Sequence, residues 1–362
     1  MDEVAWDLLV RRDDFAQTRF AERPIPAPGS GEALLRVDRV GMTANNVTYA
    51  LVGESMRYWN FFPTEPEWGR VPLWGFADVV ESNVEGVAVG TRVFGYLPTS
   101  SHLIVRPKKA DDGGFRDGSG HRADLPKAYN VYATTTGDPA YDADREDLQI
   151  LYRPLFITSF LLDDFLGDND LFGADNIVMS SASSKTSYGT AFCMGLRETR
   201  PRLVGLTSGG NLGFTHKLGC YDEVVSYEDV TSIPADRPTM YVDMAGNPRL
   251  RAAVHEHFGD RLVYDAVVGA THLDQSALAE GQAVPGPRPA FFFAPDQIRK
   301  RRADWGPGGV EKAHSAAWKR FAPIVEGWVD VIVGDGRIGL RDVWLEVLAG
   351  RSDPRAGHVI AL

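Results

Sequence analysis

Apolar and polar residues alternate through Ala33-Leu34-Leu35-Arg36-Val37-Asp38-Arg39-Val40, the pattern of a half-buried strand. Residues 77–82, a segment that turns on Gly90 into Val93-Phe94, and His102-Leu103-Ile104-Val105 predict three more short strands. Strands at this spacing predict a small barrel or rolled sheet over residues 1 to about 106. Residues 107–147 lose periodicity. Their Lys108-Lys109-Ala110-Asp111-Asp112-Gly113-Gly114 and Thr136-Gly137-Asp138-Pro139 runs predict turns, part of the segment packing over a cleft.

Helical period returns from Ile150 to Phe165-Leu166. Residues 175–229 then read as strand, small-residue turn, helix, strand, turn and helix, a βαβ unit. Short apolar runs at 240–244, 264–269 and 290–294, with helical segments beside them and a helix over 309–327, continue the alternation. That order predicts an α/β chain with a doubly wound parallel sheet. The tail from Val329 reads as strand, helix, strand. The expected division is a β-rich domain of residues 1–155 and 327–362 and a dinucleotide-binding domain of residues 156–326.

Charge narrows the partners. With 38 Lys and Arg against 49 Asp and Glu, the net charge of −11 disfavours nucleic acid and acidic membrane surfaces. No apolar run approaches the roughly 18 residues that span a bilayer. The acidic start, Met1-Asp2-Glu3, is unlike a signal peptide, so the expected address is the cytoplasm, with Cys193 and Cys220 as reduced thiols. A small-molecule substrate is the expected partner.

The candidate chemistry begins where the first strand of the βαβ unit ends. Ser181-Ala182-Ser183-Ser184-Lys185-Thr186-Ser187 brings hydroxyls and a lysine to a helix N-terminus, where phosphate binds well. Ser183, Ser184, Lys185 and Thr186 are therefore expected to hold a pyrophosphate; the bland reading is an N-cap cluster, for which Ser and Thr are favoured. Ser184-Lys185-Thr186 echoes a P-loop without its glycines, which argues against an NTPase. The second strand ends in Thr207-Ser208-Gly209-Gly210-Asn211, without the acid that holds the ribose of NAD. Thr207, Ser208 and Asn211 accordingly suit the 2′-phosphate of NADP. Asp163-Asp164 reads as a solvated helix face, and His255-Glu256-His257 as a surface pair, because i and i+2 on a helix diverge.

A rolled sheet, a Rossmann sheet and a returning tail resemble the medium-chain dehydrogenase/reductase superfamily, with its GroES-like and Rossmann domains. Gly31-Glu32-Ala33-Leu34-Leu35-Arg36-Val37 resembles its opening strand, and Gly41-Met42-Thr43-Ala44-Asn45-Asn46 its Gly-Leu-Asn-Pro-Thr-Asp segment. Gly86-Val87-Ala88-Val89-Gly90-Thr91-Arg92-Val93, Leu218-Gly219-Cys220-Tyr221-Asp222-Glu223-Val224, Val242-Asp243-Met244-Ala245-Gly246-Asn247 and Gly357-His358-Val359-Ile360-Ala361-Leu362 follow in the family's order. Trp74-Gly75-Phe76-Ala77 stands where zinc-dependent members carry Gly-His-Glu, and two cysteines cannot form a four-thiolate site. The resemblance is thus to the zinc-free quinone and enoyl reductase branch, and no metal is expected.

The resemblance implies an NADP-dependent oxidoreductase, with NADPH preferred over NADH. It acts on an α,β-unsaturated carbonyl, quinone or related acyl substrate. A non-catalytic NADP-binding sensor on the same fold, and a lyase or isomerase without dinucleotide, are the rivals. The resemblance places Tyr227 by the adenosine, and Gly246, Gly269, Ala270 and Phe292 by the nicotinamide. It makes Tyr49 the acid for a developing enolate. Asn46 stands where relatives carry Asp and joins Tyr49 as a candidate catalytic residue, without carboxylate chemistry. It also implies a homodimer through the Phe291-Phe292-Phe293 strand.

Overall fold

The computed structural model describes residues 4–268, 285–351 and 353–362. The chain divides into two compact units, Met1–Arg153 with Val329–Leu362, and Pro154–Trp328.

In the first unit the alternating run forms the strand Ala33–Met42, which lies inside a nine-stranded sheet. It pairs antiparallel with Pro72–Ser82, His102–Val105 and Ala356–Ala361. Its central place buries Leu34 and Leu35 on opposite faces, more than the half-buried strand its alternation predicts. The tail folds as expected: the strand Asp330–Asp335 runs parallel to Ala356–Ala361, with the helix Gly336–Leu348 between them in sequence.

Two features depart from the sequence pattern. Residues 107–147 are not a loose cover. Their strands Pro107–Asp111, Gly114–Asp117 and Val131–Thr134 extend the nine-stranded sheet beyond Arg92–Pro98. They are short, and Lys108 and Lys109 face solvent on the outermost strand, which erases the periodic signal. The N-terminal strands Val4–Arg11 and Thr18–Pro24 pair with each other and form a separate three-stranded sheet with Trp68–Gly69. Arg92 links the elements of this unit: its guanidinium donates to Asp38 at 2.6 Å, Asp78 at 3.0 Å and Glu146 at 2.7 Å.

In the second unit six strands lie in the order Glu223–Ser226, Arg202–Thr207, Asn176–Met179, Thr239–Asp243, Leu262–Val267 and Ala290–Phe291. All neighbours are parallel. The chain leaves Asn176–Met179 toward one edge and returns to its other side at Thr239. The carboxyl end of that strand is therefore the switch point, where open α/β sheets bind ligands. The strand is buried throughout, as a central parallel strand must be.

Candidate functional site

The turn after Asn176–Met179 has no glycine, and Ser181 supplies the left-handed residue in its place, at φ 52°. Its N–H donates to the Tyr227 hydroxyl at 3.2 Å. Ala182 is fully buried, and its N–H donates to the Leu206 carbonyl at 2.9 Å. Ser184 caps the helix Lys185–Gly195, its hydroxyl accepting from the Ser187 N–H at 3.3 Å. Gly189, one turn on, gives the close approach expected of the third fingerprint glycine: a Cβ there would stand 2.7 Å from the Ser159 hydroxyl.

The second strand closes over this turn. Thr207 donates to the Ser183 hydroxyl at 3.3 Å, and the Asn211 amide donates to the same oxygen at 3.1 Å. Ser183, Thr207, Asn211 and Tyr227 are thus brought together with Ser184. Ser208 opens the short turn that carries Asn211, whose N–H donates to its carbonyl at 2.9 Å. Thr186 lies in the first helical turn, its carbonyl accepting from Ser159 at 2.8 Å and Thr190 at 2.9 Å. Lys185 begins the helix; burial of its ammonium lowers its pKa to about 8. First-turn N–H groups, hydroxyls and a lysine thus gather at one helix N-terminus, the kind of place where anions bind well.

Behind the turn sits a buried polar network that the sequence reading did not assign. Ser180, fully buried, donates to Asp243 at 2.9 Å and accepts from the N–H groups of Met244 and Ala245 at 2.9 and 3.0 Å. Asp243 also accepts from Tyr241, Gly246 N–H and Arg251. Gly246, at φ 63°, is therefore held beside the switch point by its own N–H. Arg251 and His255 both meet Asp265, at 3.2 and 2.9 Å. His255 is not a surface residue, as the sequence pattern implies, but has no exposed area. The divergence of i and i+2 does hold: His257 instead reaches the Ile233 carbonyl at 2.7 Å. Asp163 and Asp164 are only partly exposed. They pair with Arg197 and Arg301, each at 2.7 Å.

Tyr49 lies in the first unit, in the helix Ala44–Leu51. Its hydroxyl accepts from Trp74 Nε1 at 3.4 Å, and burial pushes its pKa up to about 12. Asn46 hydrogen-bonds to the backbone through both ends of its side-chain amide. Its carbonyl oxygen accepts from the Thr43 N–H at 2.7 Å, closing a capping box, and its amide donates to the Pro72 carbonyl at 2.8 Å. It positions the Tyr49 helix. Arg57-Tyr58-Trp59-Asn60-Phe61-Phe62 is mostly core: Tyr58, Trp59, Phe61 and Phe62 are buried.

Phe292 packs into the core of the second unit. It is buried in the core beside Phe165, at a 5.4 Å ring separation, because strand alternation turns it inward while Phe291 and Phe293 are exposed. Gly269 and Ala270 lie outside the described residues. Cys193 and Cys220 are free thiols. Among the described residues, no helix is long and apolar enough to cross a membrane.

Solved structures share this architecture along nearly their whole length. CurA from Vibrio vulnificus, crystallised with NADPH, is 14% identical with a TM-score of 0.62, covering 98% of each chain. A candidate NADPH:quinone reductase from Mesorhizobium loti is 15% identical with a TM-score of 0.62, covering 100% of this chain and 99% of that one. Glucose dehydrogenase from Haloferax mediterranei is 16% identical with a TM-score of 0.55, covering 99% of each. The chain shares the fold of these solved proteins. The chain belongs to the family DUF2855, described as proteins of unknown function, whose model matches residues 40–353. No curated protein matches the sequence.

Proposed function

We propose that the chain is an NADPH-dependent, zinc-free reductase of an α,β-unsaturated carbonyl, a quinone or a related acyl compound. The observation that carries this reading is the hydroxyl cradle at the switch point, where Thr207 and Asn211 both meet Ser183. Ser183, Ser184, Lys185 and Thr186 hold the pyrophosphate. Thr207, Ser208, Asn211 and Tyr227 surround the adenosine phosphate, with no carboxylate at the strand end to repel it. Gly246 serves the nicotinamide side. The NADPH complex of CurA, a protein of the same fold, supports the cofactor.

Bound NADPH supplies a hydride. Tyr49 then donates to the oxygen on which negative charge develops, and its neutral phenol is the form that can do so. Trp74-Gly75-Phe76-Ala77 in place of Gly-His-Glu supports chemistry without zinc. Phe291 and Phe293, 53% and 51% exposed by the outer strand of the six-stranded sheet, support a homodimer that covers that edge.

One observation favours a second reading, a non-catalytic NADP sensor. The Ser181 N–H, a phosphate donor in a glycine-rich turn, is already taken by Tyr227. Calorimetric titration of NADPH and NADH, with Lys185→Ala as control, tests the first reading. Tight NADPH binding lost in the variant, followed by NADPH oxidation with enones or quinones, supports the reductase. Binding without turnover supports the sensor, and no binding of either nucleotide overturns both.

A further inference from the structure

The strands Asn176–Met179 and Thr239–Asp243 pair in parallel register, from Asn176 with Thr239 to Met179 with Val242. The Ser180 N–H adds one more bond, to the Val242 carbonyl at 3.0 Å. Beyond it the chains part into two turns, one through Ser181 to Ser184 and the other through Met244 to Gly246. A ladder that has ended sets no spacing between the turns that leave it. Side chains set it here. The Ser180 hydroxyl accepts from the N–H groups of Met244 and Ala245 at 2.9 and 3.0 Å, and donates to Asp243 Oδ1 at 2.9 Å. The same carboxylate oxygen accepts from the N–H groups of Ala245 and Gly246 at 3.1 and 3.0 Å. The Tyr241 hydroxyl donates to it as well, at 3.2 Å.

Ser180, Tyr241 and Asp243 have no exposed area. A carboxylate at that depth costs free energy unless it is paired. Arg251 supplies the pair, donating to Asp243 Oδ2 while its Nε lies 3.2 Å from Asp265. The two oxygens of Asp243 thus have separate partners: Oδ2 meets the guanidinium, and Oδ1 meets both turns. Apolar side chains of similar volume would fill such a place at no greater cost if packing were the only task. The polar arrangement adds direction, because the bonds to Ser180 and to Oδ1 hold named N–H groups at fixed distances from each other.

We propose that Ser180 and Asp243 are positioning residues that fix the spacing between the phosphate turn and the Gly246 turn. They thereby decide how much the nicotinamide half of the cofactor adds to its binding. The inference rests on the NADP reading of this site. The halves of a dinucleotide behave as two linked ligands. Once the first is bound, the second binds at an effective concentration that is high only if its site stands where the linkage delivers it. Spacing set beforehand also avoids the cost of ordering a turn on binding. Buried behind the turns, Ser180 and Asp243 act through backbone N–H groups. Without the Ser180 hydroxyl, the Met244 N–H loses its acceptor, and Asp243 still bonds the Gly246 turn but no longer ties it to the phosphate turn.

The test compares NADPH with adenosine 2′,5′-bisphosphate, which carries the adenosine half alone, by calorimetry on the full chain. Ser180→Ala is expected to lower the ratio of the two affinities about tenfold, with the bisphosphate bound within about twofold of the wild type. Asp243→Asn keeps an oxygen for the turns but removes the charge that faces Arg251. It should therefore lower the urea midpoint more than Ser180→Ala does, while keeping the affinity ratio within about threefold of the wild type. A role in stability alone predicts the reverse, with the larger loss of ratio in the less stable variant. An unchanged ratio in Ser180→Ala, a parallel loss of both ligands, or ratios that follow stability overturn the positioning role and leave the cofactor reading standing. Failure of the wild type to bind either ligand overturns that reading and the inference with it.

Discussion

Asn211 donates its amide proton to the Ser183 hydroxyl across 3.1 Å, tying the end of the second strand to the turn that follows the first. Because Thr207 donates to the same oxygen, Ser183 has spent its accepting capacity and keeps one proton to give. The natural recipient is a phosphate oxygen. Ser183→Ala should weaken NADPH binding by about 1.5–3 kcal/mol, the worth of a hydrogen bond to a charged group. Asn211→Asp should weaken it further, since a carboxylate would then face the anion. Calorimetry on both variants checks the order; equal affinity in wild type and Ser183→Ala would remove Ser183 from the site.

The pH dependence of binding should report Lys185. Burial lowers its pKa to about 8 in the free protein, so it loses charge as pH rises through 8. Phosphate favours the charged form, so binding raises the pKa and takes up protons. Affinity for NADPH should therefore fall between pH 7 and pH 9. Lys185→Arg, charged throughout, should lose this dependence. Titrations at pH 7, 8 and 9 decide the matter: an identical decline in the variant would assign the proton elsewhere.

Ser181 holds a left-handed conformation that costs an ordinary side chain about 1–2 kcal/mol. Ser181→Gly removes that cost but frees the unfolded chain. The expected net result is a gain in stability of up to about 1 kcal/mol, read as a higher urea midpoint with an unchanged slope. A loss of stability would mean that the Ser181 side chain contributes more than the strain it carries.

How far the sequence carried these features depends on where each partner lies. The βαβ unit was legible because the apolar run at Asn176 and the hydroxyl cluster after it are local signals. Ser183 and Thr207 could be paired on paper because the fold fixes which strand end meets which turn. Ser181 was harder. The missing glycines read as a departure, although a serine can occupy αL at a cost. Residues 107–147 carry no period because their strands are short and lie toward an edge with exposed lysines. For Phe292 the family resemblance carries no direction, whereas burial does, with Phe291 and Phe293 exposed on either side. The helix of His255 alone cannot show its burial, because its partner, Asp265, sits on the next strand of the sheet.

That last pairing gives the sharpest prediction. Both ring nitrogens of His255 face acceptors, Nε2 toward Asp265 at 2.9 Å and Nδ1 toward the Pro285 carbonyl at 2.7 Å. Only the imidazolium can donate from both. Burial works against the charge, but the hydrogen bonds to Asp265 and Pro285 prevail and raise the pKa above 6.5. Two cations, Arg251 and His255, thereby balance two buried carboxylates, Asp243 and Asp265. A pKa raised in the folded state stabilises fully below the unfolded value, and that stability is lost as pH rises through the folded one. Unfolding free energy should then decline from about pH 6.5 upward by this contribution. His255→Gln keeps hydrogen-bonding capacity without the charge, so it should abolish that slope. His255→Ala, which leaves Asp265 short of a partner, should cost about 3–5 kcal/mol near neutral pH. Urea unfolding of the three proteins at pH 6, 7 and 8 measures both effects, and equal slopes in wild type and His255→Gln would show the buried histidine to be neutral.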